Sequence, residues 1–234
     1  MRDVEAAADL FVRTAAGLSE EQLRSPSLLP GWSRAHVVAH VVLNAEGFVA
    51  VAETPADRQP ALMYPGGIAE RDRDIAALAA ASADELLQRC RNANRLFTLA
   101  WSPGPLSRDC ATAAGHPVFA SGSVLQRRLR ELQVHLIDLG VDGVGIDAWL
   151  PEFVDADLDL QWPTVAHRTS QRVAVDDEDG VRWETEPAPP QQPALVVPRR
   201  LLLAWVLDRA VIDGLPSLDS WSNRSKWEWT DRDA

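Results

Sequence analysis

The stretch "GWSRAHVVAHVVLNAEG", residues 31–47, decides how this chain is read. It has helical character, yet His36, His40 and Asn44 recur every fourth residue inside a run of Val and Ala. Side chains at i and i+4 share one helical face. Val37, Val38, Val41 and Val42 supply a core contact, and the polar row beside them needs hydrogen-bond partners or a purpose.

Working outward, residues 2–18 place Val4, Ala7, Ala8, Phe11, Ala15 and Leu18 at the helical period. Ser19, with Gln22 three residues on, predicts a capping box for a short helix. "SPSLLPGW", residues 25–32, is a loop, with Trp32 anchoring the start of a second long helix over 32–54. "TPADRQPALMYPGG", residues 54–67, is a long Pro-rich loop of the kind that is often functional. Helices are predicted over 68–81, from Ser82 to about Trp101 with Glu85 in a capping box, and over 121–140. The segment 102–118 reads as irregular with a short extended pair.

Four long helices predict a four-helix bundle over residues 1–148. The character changes afterwards. "QRVAVDDEDGVRWETE", residues 171–186, predicts two strands around a solvated Asp-Gly turn. "PALVV" (193–197) is a third strand, and "PRRLLLAWVLDRA" (198–210) is a helix with Pro198 in its first turn. The expected class is α+β: a bundle followed by a small α+β domain over 149–234.

The 234 residues carry a net charge of −11, which argues against a nucleic-acid partner because phosphate neutralisation needs clustered Lys and Arg. An anionic substrate must then be held by locally placed arginines. No run of about 18 apolar residues is present, so no membrane span is expected. The N-terminus lacks the pattern of a secretory signal, and Cys90 and Cys110 form no CxxC, which points to a reduced, cytoplasmic setting. A monomer or homodimer is expected.

The helix "RRLRELQVHLIDLG", residues 127–140, places Glu131 and His135 four apart, with Arg128 and Asp138 on the flanks of that face. Two ligands at i and i+4 form a chelate, and facing helices of a bundle can share one site. His40 with Glu131 and His135 makes two imidazoles and a carboxylate, a set that suits catalytic zinc and equally iron(II). The plain alternative is a pair of satisfied helix histidines and an exposed Glu–His pair.

"SLLPGWSRAHVVAHVVLNAEGF" (27–48), "MY" (63–64), "AERDRDI" (69–75) and "RRLRELQVHLIDLG" together resemble the mycothiol-dependent maleylpyruvate isomerases of the DinB-like metalloenzyme superfamily. The resemblance covers residues 1 to about 145. It implies a DinB-like bundle, zinc held by His40, Glu131 and His135, and the low-molecular-weight thiol mycothiol as co-substrate. It implies that His36 and Asn44 line or brace the site and that Arg71 binds substrate. Tyr64, the only tyrosine, stands in the loop either as a hydrogen-bond donor to substrate or thiol or as an anchor of the loop itself. The family carries a late arginine; Arg224 is the candidate here, although the surrounding residues differ.

The implied reaction is isomerisation of maleylpyruvate, or a similar cis-unsaturated keto acid, to the trans acid by addition and loss of the thiol. Two alternatives remain at this level: a mycothiol S-transferase acting on another electrophile, and a non-enzymatic zinc-binding stress or regulatory module.

Overall fold

The computed structural model describes residues 1–102, 107–186 and 195–219. The chain divides into two compact units, Met1–Gly145 and Ile146–Ala234.

In the first unit, α1 (Arg2–Ala16) buries Val4, Ala7, Ala8, Phe11 and Ala15, the stripe that its period predicts. Ser19 and Gln22 close both halves of a capping box on the short α2 (Glu20–Arg24). The next long helix, α3, runs Arg34–Glu53 and starts later than expected. Ser33 takes an extended conformation and caps it, which leaves Trp32 outside. Strand β1 (Ala61–Leu62) lies within the Pro-rich loop, ahead of α4 (Ile68–Ala79). Ser82 accepts from Glu85 N–H at 3.3 Å to begin α5 (Ala83–Trp101). Only this half of the predicted capping box forms; the next backbone N–H, of Ala83, donates to Glu20 at 2.7 Å.

Strands β2 (Asp109–Ala111) and β3 (Val118–Ala120) are antiparallel, and β1 joins β2 in parallel. A turn of 3-10 helix at Ser121–Ser123 leads into α6 (Val124–Asp138). Helices α1, α5, α3 and α6 pack in a closed ring, each against two neighbours, and α2 and α4 lie against α3. This is the four-helix bundle.

Helix α3 is buried on nearly every side, from Ala35 through Val51, because α2 and α4 cover it in addition to its two neighbours in the ring. It is long and apolar enough to cross a membrane by length and composition, but 72% of its most apolar window is buried inside the protein. Its only buried polar side chains are His40 and Asn44, so both need partners.

In the second unit, residues 151–168 form two helices that the sequence periodicity does not single out. Pro151 opens α7 (Pro151–Gln161) from a first-turn position, where its missing N–H costs nothing. Helix α8 (Val165–Arg168) follows after one 3-10 turn. Strands β4 (Ala174–Asp176) and β5 (Arg182–Glu184) form the predicted hairpin, and β6 (Leu195–Val196) pairs in parallel with β4. Helix α9 (Arg199–Val206) starts one residue later than expected, because Pro198 is its cap and not its first residue. Together the units make an α+β protein.

The Asp-Gly turn is not simply solvated. Asp177 is 2% exposed and accepts from Val181 N–H at 2.7 Å, Trp183 Nε1 at 3.0 Å and Arg199 Nε at 2.6 Å. The carboxylate ties the hairpin to the start of α9.

Candidate metal centre

The register between α3 and α6 is set at their ends. Arg34, in the first turn of α3, donates from Nε to Leu139 O and from Nη2 to Gly140 O, both at 2.7 Å. Leu28 N–H donates to Asp138 O at 2.9 Å. These bonds lock the N-terminus of α3 to the C-terminus of α6. His40, two turns into α3, is thereby brought level with the Glu131–His135 face of α6.

The ligand atoms of His40, Glu131 and His135 all lie within 4.8 Å of one another. His40 Nε2 is 2.8 Å from Glu131 Oε2, and His135 Nε2 is 3.4 Å from the same oxygen. The two imidazole rings meet edge to face at 4.5 Å. Three ligands on a tetrahedral zinc stand roughly 3.3 Å apart, given bonds of about 2.0–2.1 Å. The converging set therefore fits such an ion with only small side-chain adjustment.

Electrostatics around the three are strongly coupled. Burial pushes the Glu131 carboxyl up, but hydrogen bonds from His135 and His40 outweigh it and hold it well below the carboxylate range. Burial, reinforced by the charge of His135, pushes His40 down to about 4. Burial also disfavours a charged His135, yet bonds to Asp138 and Glu131 raise it to about 9.

Two residues outside the expected set are buried on the same helix, and one of them touches the candidate ligands. Asp138, 1% exposed, stands with Oδ2 2.8 Å from His135 Nδ1 and orients that ring. The i, i+3 spacing from His135 is the available signal, though nothing in the sequence distinguishes it from a helix-flank carboxylate. Arg128 is fully buried. It donates to Val41 O at 3.0 Å, Asn44 Oδ1 at 2.7 Å and Asn94 Oδ1 at 2.7 Å, and its guanidinium lies 5.7 Å from the Phe97 ring. Burial lowers its pKa to about 10, which keeps it a cation at neutral pH.

The polar row on α3 therefore divides among three tasks. His40 faces Glu131. Asn44 holds Arg128. His36 is taken by the helix cap: its Nδ1 is 2.7 Å from Ser33 Oγ and 3.3 Å from Ser33 N, and its ring lies 6.2 Å from that of Trp32. Trp32 reaches further than a helix anchor, with its ring 5.7 Å from His40.

Arg71, on α4, points Nη2 at His40 Nδ1 at 2.6 Å and Nη1 at Asp72 Oδ1 at 2.7 Å. Tyr64 lies beneath it, ring centroid 5.5 Å from the guanidinium carbon. The loop holds Tyr64 there because Met63 and Tyr64 N–H groups donate to Ala111 O and Thr112 O at 3.0 and 2.9 Å. Burial raises the Tyr64 pKa, so the hydroxyl stays protonated. Gly47 on α3 makes the room, since a Cβ there would come within 3.2 Å of both Met63 and Tyr64. Tyr64 and Arg71 border a cleft of about 190 Å³, closed by Leu43, Gly47, Met63 and Gly67, with Glu46, Glu70 and Asp74 at its edges. Arg224 lies outside the described residues.

The mycothiol maleylpyruvate isomerase N-terminal domain family matches residues 4–140. This chain belongs to that family. The match spans the bundle and all three converging residues. Two solved structures share the fold: the mycothiol-dependent maleylpyruvate isomerase, with a TM-score of 0.77, and a histidine-to-alanine mutant of that name, with 0.76. Each is 19% identical to this chain, and each match covers 94% of this chain and 95% of the other. No match was found among curated protein sequences.

Proposed function

We propose that this protein is a zinc-dependent cis–trans isomerase that uses mycothiol to convert maleylpyruvate, or a similar cis-unsaturated keto acid, to its trans isomer in the cytoplasm. The observation that carries this reading is the convergence of His40, Glu131 and His135 from two helices of a maleylpyruvate isomerase family domain.

His40, Glu131 and His135 would hold the metal, and Asp138 would fix the His135 ring so that Nε2 points inward. Bound there, zinc would supply a Lewis acid that lowers the pKa of an incoming thiol. The chain has no thiolate of its own to offer. Its two cysteines are buried, and burial pushes Cys90 up to about 11 and Cys110 upward as well. Buried, protonated thiols are poor nucleophiles, which supports a thiol supplied from outside.

Addition of that thiolate to the cis double bond leaves a single bond free to rotate, and loss of the thiol then yields the trans acid. Arg71 is the one cation among the described residues lining the cleft, and its planar fork matches a carboxylate. The Tyr64 hydroxyl is a donor for a keto or carboxylate oxygen at the same lip. Leu43 and Met63 supply apolar wall.

The test is metal analysis combined with a maleylpyruvate assay run with and without mycothiol. About one zinc per chain and thiol-dependent turnover that returns the thiol are expected. Consumption of thiol with formation of a thioether product would make the protein an S-transferase instead. Full zinc occupancy in both His40→Ala and His135→Ala proteins would remove the metal assignment.

A further inference from the structure

A guanidinium group only donates hydrogen bonds. Arg71 Nη2 lies 2.6 Å from Nδ1 of His40, so Nδ1 is the acceptor and a neutral His40 ring carries its proton on Nε2. That proton points at Glu131 Oε2, 2.8 Å away. The arrangement is self-consistent, and it occupies the nitrogen that faces the other two ligands.

An imidazole that binds a metal through Nε2 has no proton there, and its remaining proton sits on Nδ1. A Nδ1–H facing Arg71 Nη2 would set two donors against each other at 2.6 Å. The Arg71–His40 bond and a metal on His40 Nε2 therefore exclude one another. The arm has somewhere to go. Its second nitrogen is already held by Asp72 at 2.7 Å, and the cleft bounded by Tyr64, Glu70 and Asp74 opens beside it.

We infer that Arg71 is a metal-responsive arm, latched onto His40 Nδ1 while the ligands are bare and released into the adjoining cleft when a metal occupies them. The inference rests on the proposed metal centre and deepens it. The guanidinium is presented to an anionic substrate only in the loaded protein. By reciprocity, a dianion that holds the released arm tightens the metal.

The test uses the full chain with zinc alone. Imidazole ¹⁵N spectra report which His40 nitrogen is protonated, Nε2 in the chelator-stripped protein and Nδ1 after zinc is added. Arg71 should react several-fold faster with phenylglyoxal in the zinc-loaded protein, as read by peptide mass mapping. Removing the competing donor with Arg71→Met should tighten zinc in chelator competition by about tenfold. The spectra and the labelling separate this latch from a simple loss of positive charge, which would tighten zinc while moving neither. A Nδ1–H tautomer in the stripped protein, or Arg71 labelling that does not change on loading, overturns the inference and leaves the metal centre standing. No zinc bound by either protein overturns the centre itself.

Discussion

Asp138 Oδ2 lies 2.8 Å from His135 Nδ1 on the same face of α6, and Asp138 is 1% exposed. The carboxylate fixes the ring, raises its basicity and directs Nε2 toward Glu131 and His40. Outer partners of this kind typically control metal affinity by 10–100-fold. Asp138→Asn keeps the shape and removes the charge, so zinc affinity should fall by roughly that factor while the far-ultraviolet circular dichroism stays unchanged. Chelator competition measures it, and equal affinity would reduce Asp138 to a packing residue.

Zinc binding should depend on pH in a definite direction. In the metal-free protein His135 is raised to about 9, so at neutral pH it holds a proton between Glu131 and Asp138. A metal must displace that proton. Apparent zinc affinity should therefore climb as pH rises toward about 9 and level off above it. Calorimetry in buffers of different ionisation enthalpy should count about one proton released per zinc at pH 7, and a count near zero would contradict a charged His135.

Arg71→Lys keeps the charge and loses the fork. Loss of one charge-assisted contact costs roughly 1.5–3 kcal/mol. For a dianionic substrate kcat/KM should fall about 10–100-fold, mostly through KM, with zinc content still about one per chain. Unchanged kinetics would place Arg71 outside the substrate site.

Arg128 is predicted to act on stability. Arg128→Met matches the stem but leaves Asn44 Oδ1, Asn94 Oδ1 and Val41 O facing a hydrophobic side chain. Buried polar atoms stripped of a donor cost about 1–3 kcal/mol each when nothing replaces it. A loss of about 3 kcal/mol in urea denaturation is expected, and a loss below 1 kcal/mol would mean that the three acceptors find other partners.

The second unit carries its own pH signature. Burial alone would raise Asp177, but bonds from Trp183 and Arg199 outweigh it and bring the carboxyl down to about 2. Its folded pKa lies below the unfolded value of about 3.9, so its contribution is complete above roughly pH 4 and fades as pH falls toward 2. A lowering of that size stabilises the folded state by about 2 kcal/mol at neutral pH. Asp177→Asn should unfold more easily than wild type at pH 6 and about equally at pH 2, measured as denaturation midpoints. Equal midpoints at both pH values would show that the carboxylate charge contributes nothing to this unit.

Legibility in the sequence varies from element to element. The stripe of α1 and the caps at Ser19 and Ser82 are local, governed by contacts three or four residues apart, and each is readable directly. Glu131 with His135 is equally local, and the motif blocks join His40 to them. Helix α7 is hidden because its buried Phe153, Val154, Asp157 and Leu158 include a charge that masks the apolar period. The late start of α3 turns on one residue: Ser33 is a good cap in any sequence, but only its extended backbone shows that Trp32 stays outside the helix.

What the sequence determined by itself was therefore the helical bundle, the α+β class and the placing of Glu131 and His135 on one helical face, because spacing along a helix is a property of the chain alone; His40 joined that pair only through the family resemblance. What only the tertiary structure decided was the allocation of the remaining polar groups. His36 was drawn into a cap by Ser33, Asn44 was claimed by Arg128 from α6, and Arg71 reached His40 from α4. The last two pairings are made across helices by burial, and a buried polar group settles wherever the packed neighbours offer the complementary donor or acceptor.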